Sequence, residues 1–110
     1  MAGKFEVYKS EKTDDYYFRL KAANGQVVMT SQGYKDKTGA KNGVDSVVKN
    51  SGSKSNFESL ESKNGKFYFN LKAKNGQIIG SSQMYKSLSG RDNGIKAIGN
   101  AANGANVVEL

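Results

Sequence analysis

The side chains that most enzymes use as nucleophiles and general bases are scarce in this chain. Its 110 residues include no cysteine and no histidine, which argues against disulfides, thiolate or imidazole catalysis and most transition-metal sites. The adjacent carboxylates Asp14 and Asp15 fall in a predicted hairpin loop, where solvated turn formers are common. The segment from Gly33 to Gly39 contains glycines and lysines, but its spacing does not fit a phosphate-binding loop. The sequence therefore predicts a non-enzymatic protein with no catalytic residue, no metal and no cofactor.

Aromatic and basic residues at alternate positions offer a different chemistry, that of binding. Proteins that bind single-stranded nucleic acid combine stacking rings with a basic groove. Strand periodicity places such residues on one side of a predicted sheet, the side away from the helices, with Val28 and Ile79 expected among them. This candidate binding face consists of Tyr17, Arg19, Lys21, Tyr68 and Lys72.

Two other interpretations of the same face remain open. A sheet covered on one side must expose some residues on the other, and tyrosine, arginine and lysine are ordinary choices there. Alternatively, Tyr17, Val28, Tyr68 and Ile79 form a contiguous apolar patch that packs against another protein. Weak nucleic-acid binding is the leading hypothesis, and a protein-interaction module without a nucleic-acid role is the alternative.

The charge of the chain is compatible with either partner. A formal net charge of +7 and a pI near 9.6 attract polyanions. Ten basic and six acidic residues precede Asn56, and seven and four follow from there, so the excess forms no separate basic tail. The first residues carry charge where a secretory signal is apolar, and no apolar run reaches membrane-spanning length. We therefore expect a cytoplasmic protein without a membrane segment.

The chain contains an internal repeat. Residues 16–50 align with residues 67–101 at a constant offset of 51, without a gap, and 15 of the 35 positions are identical. A weaker likeness relates residues 55–60 to residues 105–110. We predict one domain over residues 1–110, made of a first repeat (1–55) and a second repeat (56–110) that share one core. The identical positions, each with its partner 51 residues later, are Tyr17, Phe18, Leu20, Lys21, Ala22, Asn24, Gly25, Gln26, Ser31, Gln32, Tyr34, Lys35, Gly39, Asn42 and Gly43.

Each repeat begins with strands. Even positions from Tyr16 to Ala22 are apolar or aromatic and odd positions include the cations, a period of two typical of a half-buried strand. Asn24-Gly25, and Asn75-Gly76 in the second repeat, predict a two-residue type I′ hairpin with positive φ at both residues. That turn would pair Leu20 with Met29, Arg19 with Thr30 and Lys21 with Val28.

A helix is expected to follow the strands. Asp36 and Ser87 are predicted N-caps, and an apolar stripe at helical spacing comes after each. Gly43 and Gly94 lie on the inward stripe, which indicates close approach of helix to sheet. In a rival interpretation, Asn42-Gly43 is a loop turn. The stripes are Ala40, Gly43, Val44, Val47 and Val48 in the first repeat, and Arg91, Gly94, Ile95, Ile98 and Gly99 in the second.

The pattern LKAxNGQ, then S-Q-x-Y-K, then N-G followed by Val or Ile, resembles the YegP-like family of small bacterial proteins in both copies. The resemblance implies two β-β-β-α-β repeats in one mainly antiparallel sheet with two helices on one face and exchanged C-terminal strands. Residues 105–110 would then pair with the N-terminal half, and the tandem chain would be a monomer that is its own pseudo-dimer. The helix from Ile95 to Ala102 departs from the pattern at Gly99 and in its alanine-rich end, which puts its last turn in doubt. The resemblance implies no activity.

Overall fold

The computed structural model describes residues 3–110, so the first two residues of the predicted first repeat lie outside it. The chain is α+β, as expected, with seven strands and two helices among these residues. A 3₁₀ turn, Lys54–Asn56, precedes the fourth strand. The elements are β1 (Lys4–Lys9), β2 (Tyr16–Lys21), β3 (Val27–Ser31), α1 (Lys37–Asn50), β4 (Phe57–Glu61), β5 (Phe67–Lys72), β6 (Ile78–Ser82), α2 (Leu88–Ala102) and β7 (Asn106–Glu109).

The seven strands form one sheet in the order β4-β5-β6-β3-β2-β1-β7. β3 and β6 meet antiparallel at its centre and join the two repeats. β7 leaves the second repeat and lies parallel to β1, with Phe5 beside Val107 and Val7 beside Glu109. The implied exchange of the C-terminal strand is therefore confirmed, and every other strand pairing is antiparallel.

The period-two pattern correctly assigns the buried side of β2 and β5. Phe18 and Leu20 on β2, and Phe69 and Leu71 on β5, are fully buried. The intervening Tyr17, and its counterpart Tyr68, are partly exposed. Because successive side chains of a strand point to opposite faces, the helices cover one face of the sheet and the tyrosines lie on the other.

The hairpin turns differ from the predicted type. Gly25 has a φ of +87°, while Asn24 keeps an ordinary negative φ. The Gly25 N–H donates to the Ala22 carbonyl, and the Ala22 N–H donates to the Gln26 carbonyl, each at 2.9 Å. This is a three-residue loop with a bulge at the glycine, so Lys21 lies opposite Val27 and the predicted pairing with Val28 is wrong. The pairings of Leu20 with Met29 and of Arg19 with Thr30 are confirmed.

Both helices begin at the predicted caps. The Asp36 carboxylate accepts the Gly39 N–H at 2.7 Å, and the Ser87 hydroxyl accepts the Gly90 N–H at 3.0 Å. The loop interpretation of Asn42-Gly43 is wrong, because α1 is continuous across it. Helix α2 likewise continues to Ala102, whose side chain is buried.

Gly43 brings α1 close to the sheet, as predicted. A Cβ at this position would lie 2.7 Å from Phe18 Cε2 and against the Tyr34 hydroxyl. Gly94 has the same relation to Tyr85. The Tyr34 ring stacks on Phe18 at 6.2 Å between centroids, and burial raises the pKa of Tyr34. The tyrosines between strand and helix therefore pack into the core.

Val48 is the exception on the α1 stripe. It is 49% exposed, whereas Ala40, Gly43, Val44 and Val47 are buried. Val48 lies at the mouth of a cavity that it shares with Phe57 and Ile95, beside strand β4. The expectation that Val48 is buried is therefore wrong.

The two helices join the repeats across the sheet. α1 contacts β5 and β6 of the second repeat as well as β1 and β2, and α2 contacts β1, β2 and β3 as well as β5. The buried apolar residues form one cluster with members from both repeats. Neither α1 nor α2 is long and apolar enough to cross a membrane, and they are the only α-helices between residues 3 and 110.

Candidate functional site

The five residues of the candidate binding face lie on two strands. Tyr17, Arg19 and Lys21 belong to β2, and Tyr68 and Lys72 belong to β5; all five are partly exposed. β6 and β3 separate β5 from β2, so the two groups are about 14 Å apart at the usual strand spacing. The structure therefore divides the predicted face into two patches of different composition.

Glu6 organises the patch on β2. Its side chain, on β1, is only 7% exposed. The Arg19 Nε donates to Glu6 Oε1 at 2.6 Å, the Lys21 Nζ lies 3.2 Å from the same oxygen, and the Lys4 Nζ lies 3.4 Å from Oε2. The hydrogen bond from Arg19, aided by Lys21 and Lys4 against the cost of desolvation, lowers the pKa of Glu6 to about 2. Two cations of the predicted face are thus held in place by a carboxylate.

Tyr8 completes the patch. It lies opposite Tyr17 in the β1–β2 ladder, and the two rings stack at 5.9 Å with 22° between their planes. The Arg19 guanidinium carbon lies 4.9 Å from the centre of the Tyr8 ring, within the range of a cation–π interaction. We call this group the β1–β2 cluster; its members are Lys4, Glu6, Tyr8, Tyr17, Arg19 and Lys21.

Sequence reasoning missed Tyr8. The alternation within Lys4–Lys9 would have placed it on the same face as Glu6, because Phe5 and Val7 are the buried residues. Its position opposite Tyr17 depends on the loop between β1 and β2, where the Ser10 N–H donates to the Asp15 carbonyl. Asp14 and Asp15 are residues of this turn, and Asp14 has a left-handed φ of +60°.

The patch on β5 lacks the corresponding partners. Leu60 lies opposite Tyr68, where the first repeat has Tyr8 opposite Tyr17. Asn70 stands in the position of Arg19 and accepts a hydrogen bond from the Ser81 hydroxyl at 2.6 Å. Lys72 is paired with Glu58 at 3.0 Å. This patch has balanced charge and a single ring, whereas the β1–β2 cluster has three cations, one carboxylate and two rings.

Val28 and Ile79 do not belong to an exposed face. Each is 5% exposed and belongs to the buried apolar cluster. The three-residue loop of each hairpin places Val27 and Ile78 opposite Lys21 and Lys72. A register shift then occurs between Leu20 and Lys21, and between Leu71 and Lys72. The proposed apolar patch of Tyr17, Val28, Tyr68 and Ile79 is therefore wrong.

No constellation for metal binding occurs between residues 3 and 110, where no three carboxylates lie close enough to share an ion. Of the lysines in the segment from Gly33 to Gly39, Lys37 takes part in the fold. Lys37 begins α1 and lies 3.6 Å from Glu109 of β7. The chemistry that the described residues offer is thus stacking and ion pairing at the β1–β2 cluster.

Replacing Glu6 is expected to change the acid sensitivity of the fold. Since the pKa of Glu6 is lowered from 4.5 to about 2, its ion pairs stabilise the folded state fully above pH 4.5, and the contribution is lost as the pH falls through about 2. Lys4 and Arg19 are 48% and 33% exposed, so screening reduces the contribution to about 1 to 2 kcal/mol. Glu6→Gln should therefore lower the free energy of unfolding by this amount at pH 7, and the difference from wild type should shrink toward pH 2.

Urea denaturation measured from pH 7 to pH 2 checks this expectation. Glu58→Gln is the matched control, because Glu58 has the equivalent place on β4 but, within the described part of the chain, pairs with Lys72 alone. Its effect should stay below about 1 kcal/mol. A Glu6→Gln protein whose loss of stability is the same at pH 7 and pH 2 would contradict the assigned ion pairs.

Comparison with known proteins places both repeats in one family. Residues 11–58 and 62–109 each match the domain of unknown function DUF1508. A UPF0339 protein of Stutzerimonas stutzeri is 49% identical over 110 residues, covering all of this chain and 98% of the relative. The UPF0339 protein YegP of Escherichia coli K12 is 49% identical over 98 residues, covering 89% and 88% of the two chains.

Solved structures agree with the fold. The solution structure of a UPF0339 protein of Shewanella oneidensis has a TM-score of 0.92 and 46% identity, covering all of this chain and 92% of that one. The solution structure of the YegP protein of Escherichia coli has a TM-score of 0.92 and 45% identity, covering 99% and 93%.

Proposed function

Because this chain belongs to the DUF1508 family, in its tandem UPF0339/YegP form, for which no activity is described, we propose a function from the site itself: weak binding of single-stranded nucleic acid by the β1–β2 cluster. The proposal includes no catalytic step and no cofactor. The stacked pair of Tyr8 and Tyr17 beside three cations is the observation that carries it.

The two tyrosines supply the surface for bases. Both rings are partly exposed on the helix-free side of the sheet. Stacking of a base on an aromatic side chain contributes about 1 to 3 kcal/mol and depends little on the base. Arg19, held by Glu6 and packed over Tyr8, fixes the orientation of the pair. The cluster is thus preorganised to accept one or two unstacked bases.

The cations supply a modest attraction for phosphate. Lys4, Arg19 and Lys21 carry three positive charges, and Glu6 neutralises one of them, which leaves an excess of two. Neutralising two phosphates of a single strand gives a log–log salt slope of about −1.4. Affinity should therefore fall only several-fold between about 50 and 200 mM salt, and the binding is weak at physiological salt.

Oligonucleotide binding tests this role directly. Fluorescence anisotropy with a labelled oligothymidine of about 12 nucleotides should give binding with the salt slope expected above. Tyr8→Ser combined with Tyr17→Ser should weaken it by about ten-fold or more, because both stacking surfaces are lost. Tyr8→Phe keeps the ring and should bind like wild type.

The second repeat provides the matched control. Tyr68→Ser removes the tyrosine equivalent to Tyr17 from a patch without a stacked partner, and it should change the affinity less than two-fold. Circular dichroism should show that all variants are folded. No binding by the wild-type protein at about 50 mM salt, or equal losses in the two repeats, would contradict the proposal.

The alternative role, binding another protein, has support at a different place. Val28 and Ile79 of the apolar patch first expected for it are buried, but β4 is an edge strand in the sheet formed by residues 3–110, and such an edge presents backbone groups for pairing. That edge is on the opposite side of the molecule from the β1–β2 cluster in the strand order.

A further inference from the structure

β4 and β1 are equivalent strands of the two repeats. Phe5 lies opposite Leu20, and Phe57 lies opposite Leu71, which is the counterpart of Leu20. Glu6 and Val7 correspond in the same way to Glu58 and Ser59. One difference separates the two edges: β7 lies parallel to β1, and within residues 3–110 no strand lies on the outer side of β4.

The missing neighbour changes the burial of β4. Phe5, Glu6 and Val7 are 0%, 5% and 1% exposed, while their counterparts on β4 are partly or fully exposed. A strand edge also leaves the backbone N–H and C=O groups of alternate residues without partners. The outer edge of β4 is thus open to a further strand, in the place that β7 occupies beside β1.

A groove runs along this open edge. A cavity of about 530 Å³ lies between α2 and the start of β4, with Val48, Phe57, Ile95 and Gly99 in its wall. A second cavity, of about 350 Å³, continues past Ser59 and Asp92, and Lys54 and Lys96 also line it. On the first repeat the matching space, beside Lys41, Val44 and Asp45, is lined by Val107 and Glu109 of β7.

The charge is reversed at two helix positions beside the edge strands, while Lys54 also lines the groove beside β4. Glu109 lies 2.9 Å from the Lys41 Nζ and 3.6 Å from the Lys37 Nζ. In the second repeat, 51 residues later, Leu88 replaces Lys37 and Asp92 replaces Lys41. Lys96 likewise replaces Asp45. The Asp92 side chain is 63% exposed and, among residues 3–110, has one ion pair, with the Arg91 Nη2 at 3.6 Å. A glutamate in the position of Glu109 would meet Asp92, whereas a lysine or arginine would pair with it.

We propose that the groove beside β4 binds an extended segment of another protein, added as a parallel edge strand, with an aliphatic residue beside Phe57 and a basic residue beside Ser59. The strand contributes backbone hydrogen bonds, the aliphatic side chain covers Phe57 and Ile95, and the basic side chain pairs with Asp92. The charge reversal disfavours β7 of a second copy, which would present Glu109. This site is independent of the β1–β2 cluster.

Two peptides that differ at one residue test the choice of partner. The first is the chain's own segment 105–110, Ala-Asn-Val-Val-Glu-Leu, and the second carries the substitution Glu109→Lys. Titrated into the intact protein and followed by amide chemical shifts, the basic peptide should perturb β4 and α2 and bind about five-fold more tightly than the acidic one. In the Asp92→Lys protein the preference should reverse.

Backbone pairing has its own control. The basic peptide with both valines N-methylated cannot donate from either of them, and it should lose binding. Equal binding of the two peptides, shifts confined to β1 and β7, or no shift at millimolar peptide would overturn the proposal. Concentration-dependent dimerisation of the protein, with slowed amide exchange in β4, would instead identify a second copy as the occupant and would also overturn it.

Discussion

Phe18→Ala and Phe69→Ala are each expected to lower the free energy of unfolding by about 3 to 5 kcal/mol. Both rings are fully buried, and each packs against two other rings. Phe18 lies 5.9 Å from Phe5 and 6.2 Å from Tyr34; Phe69 lies 5.4 Å from Phe57 and 6.2 Å from Tyr85. Truncation leaves a cavity that these rigid neighbours cannot fill.

The pair of substitutions also tests the prediction that the two repeats form a single domain. Phe18 belongs to the first repeat and Phe69 to the second, but α1 and α2 each pack on strands of both. If the repeats share one core, each substitution should shift one cooperative transition in urea, and by a similar amount. Val48→Ala, at a 49% exposed helical position, should change stability by less than about 0.5 kcal/mol. Two separate transitions, with each substitution affecting only one, would contradict the single-domain prediction.

Much of the fold could be predicted because local rules act within each repeat. Alternation identified β2 and β5, and hydrogen-bonding side chains followed by helical stripes identified α1 and α2. Because the sequence is repeated, each of these assignments could be made independently in both halves of the chain. The pairing of residues 105–110 with the N-terminal half came from family resemblance instead, and the parallel direction of β7 beside β1 was not predicted. A four-residue strand whose four residues are all exposed has no alternation of burial to reveal its neighbour.

Turn geometry was the main source of error. An Asn-Gly pair fits both a two-residue loop with two positive φ values and a three-residue loop with one, and the choice depends on the hydrogen bonds that the flanking residues make. Here the bond from the Ala22 N–H to the Gln26 carbonyl selects the longer loop. The longer loop and the register shift next to Lys21 and Lys72 accompany the burial of Val28 and Ile79, which the shorter loop would place on the face of those lysines.

The candidate site was only partly predictable for a related reason. Tyr17, Arg19 and Lys21 could be placed on one face from β2 alone, but Tyr8 and Glu6 come from β1, whose register depends on a loop. The burial of Glu6 arises from the combination of three cations above it and β7 beside it. No single segment of sequence contains that information.

The second large change in stability is expected when a helical glycine that contacts the sheet is replaced by alanine. Gly43→Ala would place a methyl group 2.7 Å from Phe18 Cε2 and against the Tyr34 hydroxyl. Overpacking of this kind costs up to about 3 kcal/mol, and the better helix propensity of alanine offsets about 1 kcal/mol. The free energy of unfolding should therefore fall by about 2 kcal/mol.

Gly99→Ala is the matched control, and the opposite sign is expected for it. Gly99 is also in a helix, but the nearest atom to its added Cβ is the Ser51 carbonyl oxygen at 3.4 Å, an ordinary contact. Only the gain in helix propensity remains, so stability should rise by up to about 1 kcal/mol. Chemical denaturation of both proteins separates the two effects, because propensity alone predicts the same sign at both glycines. A stabilised Gly43→Ala protein would mean that α1 can move away from Phe18 and Tyr34. The fold would then not require a glycine at this position for the close contact between helix and sheet.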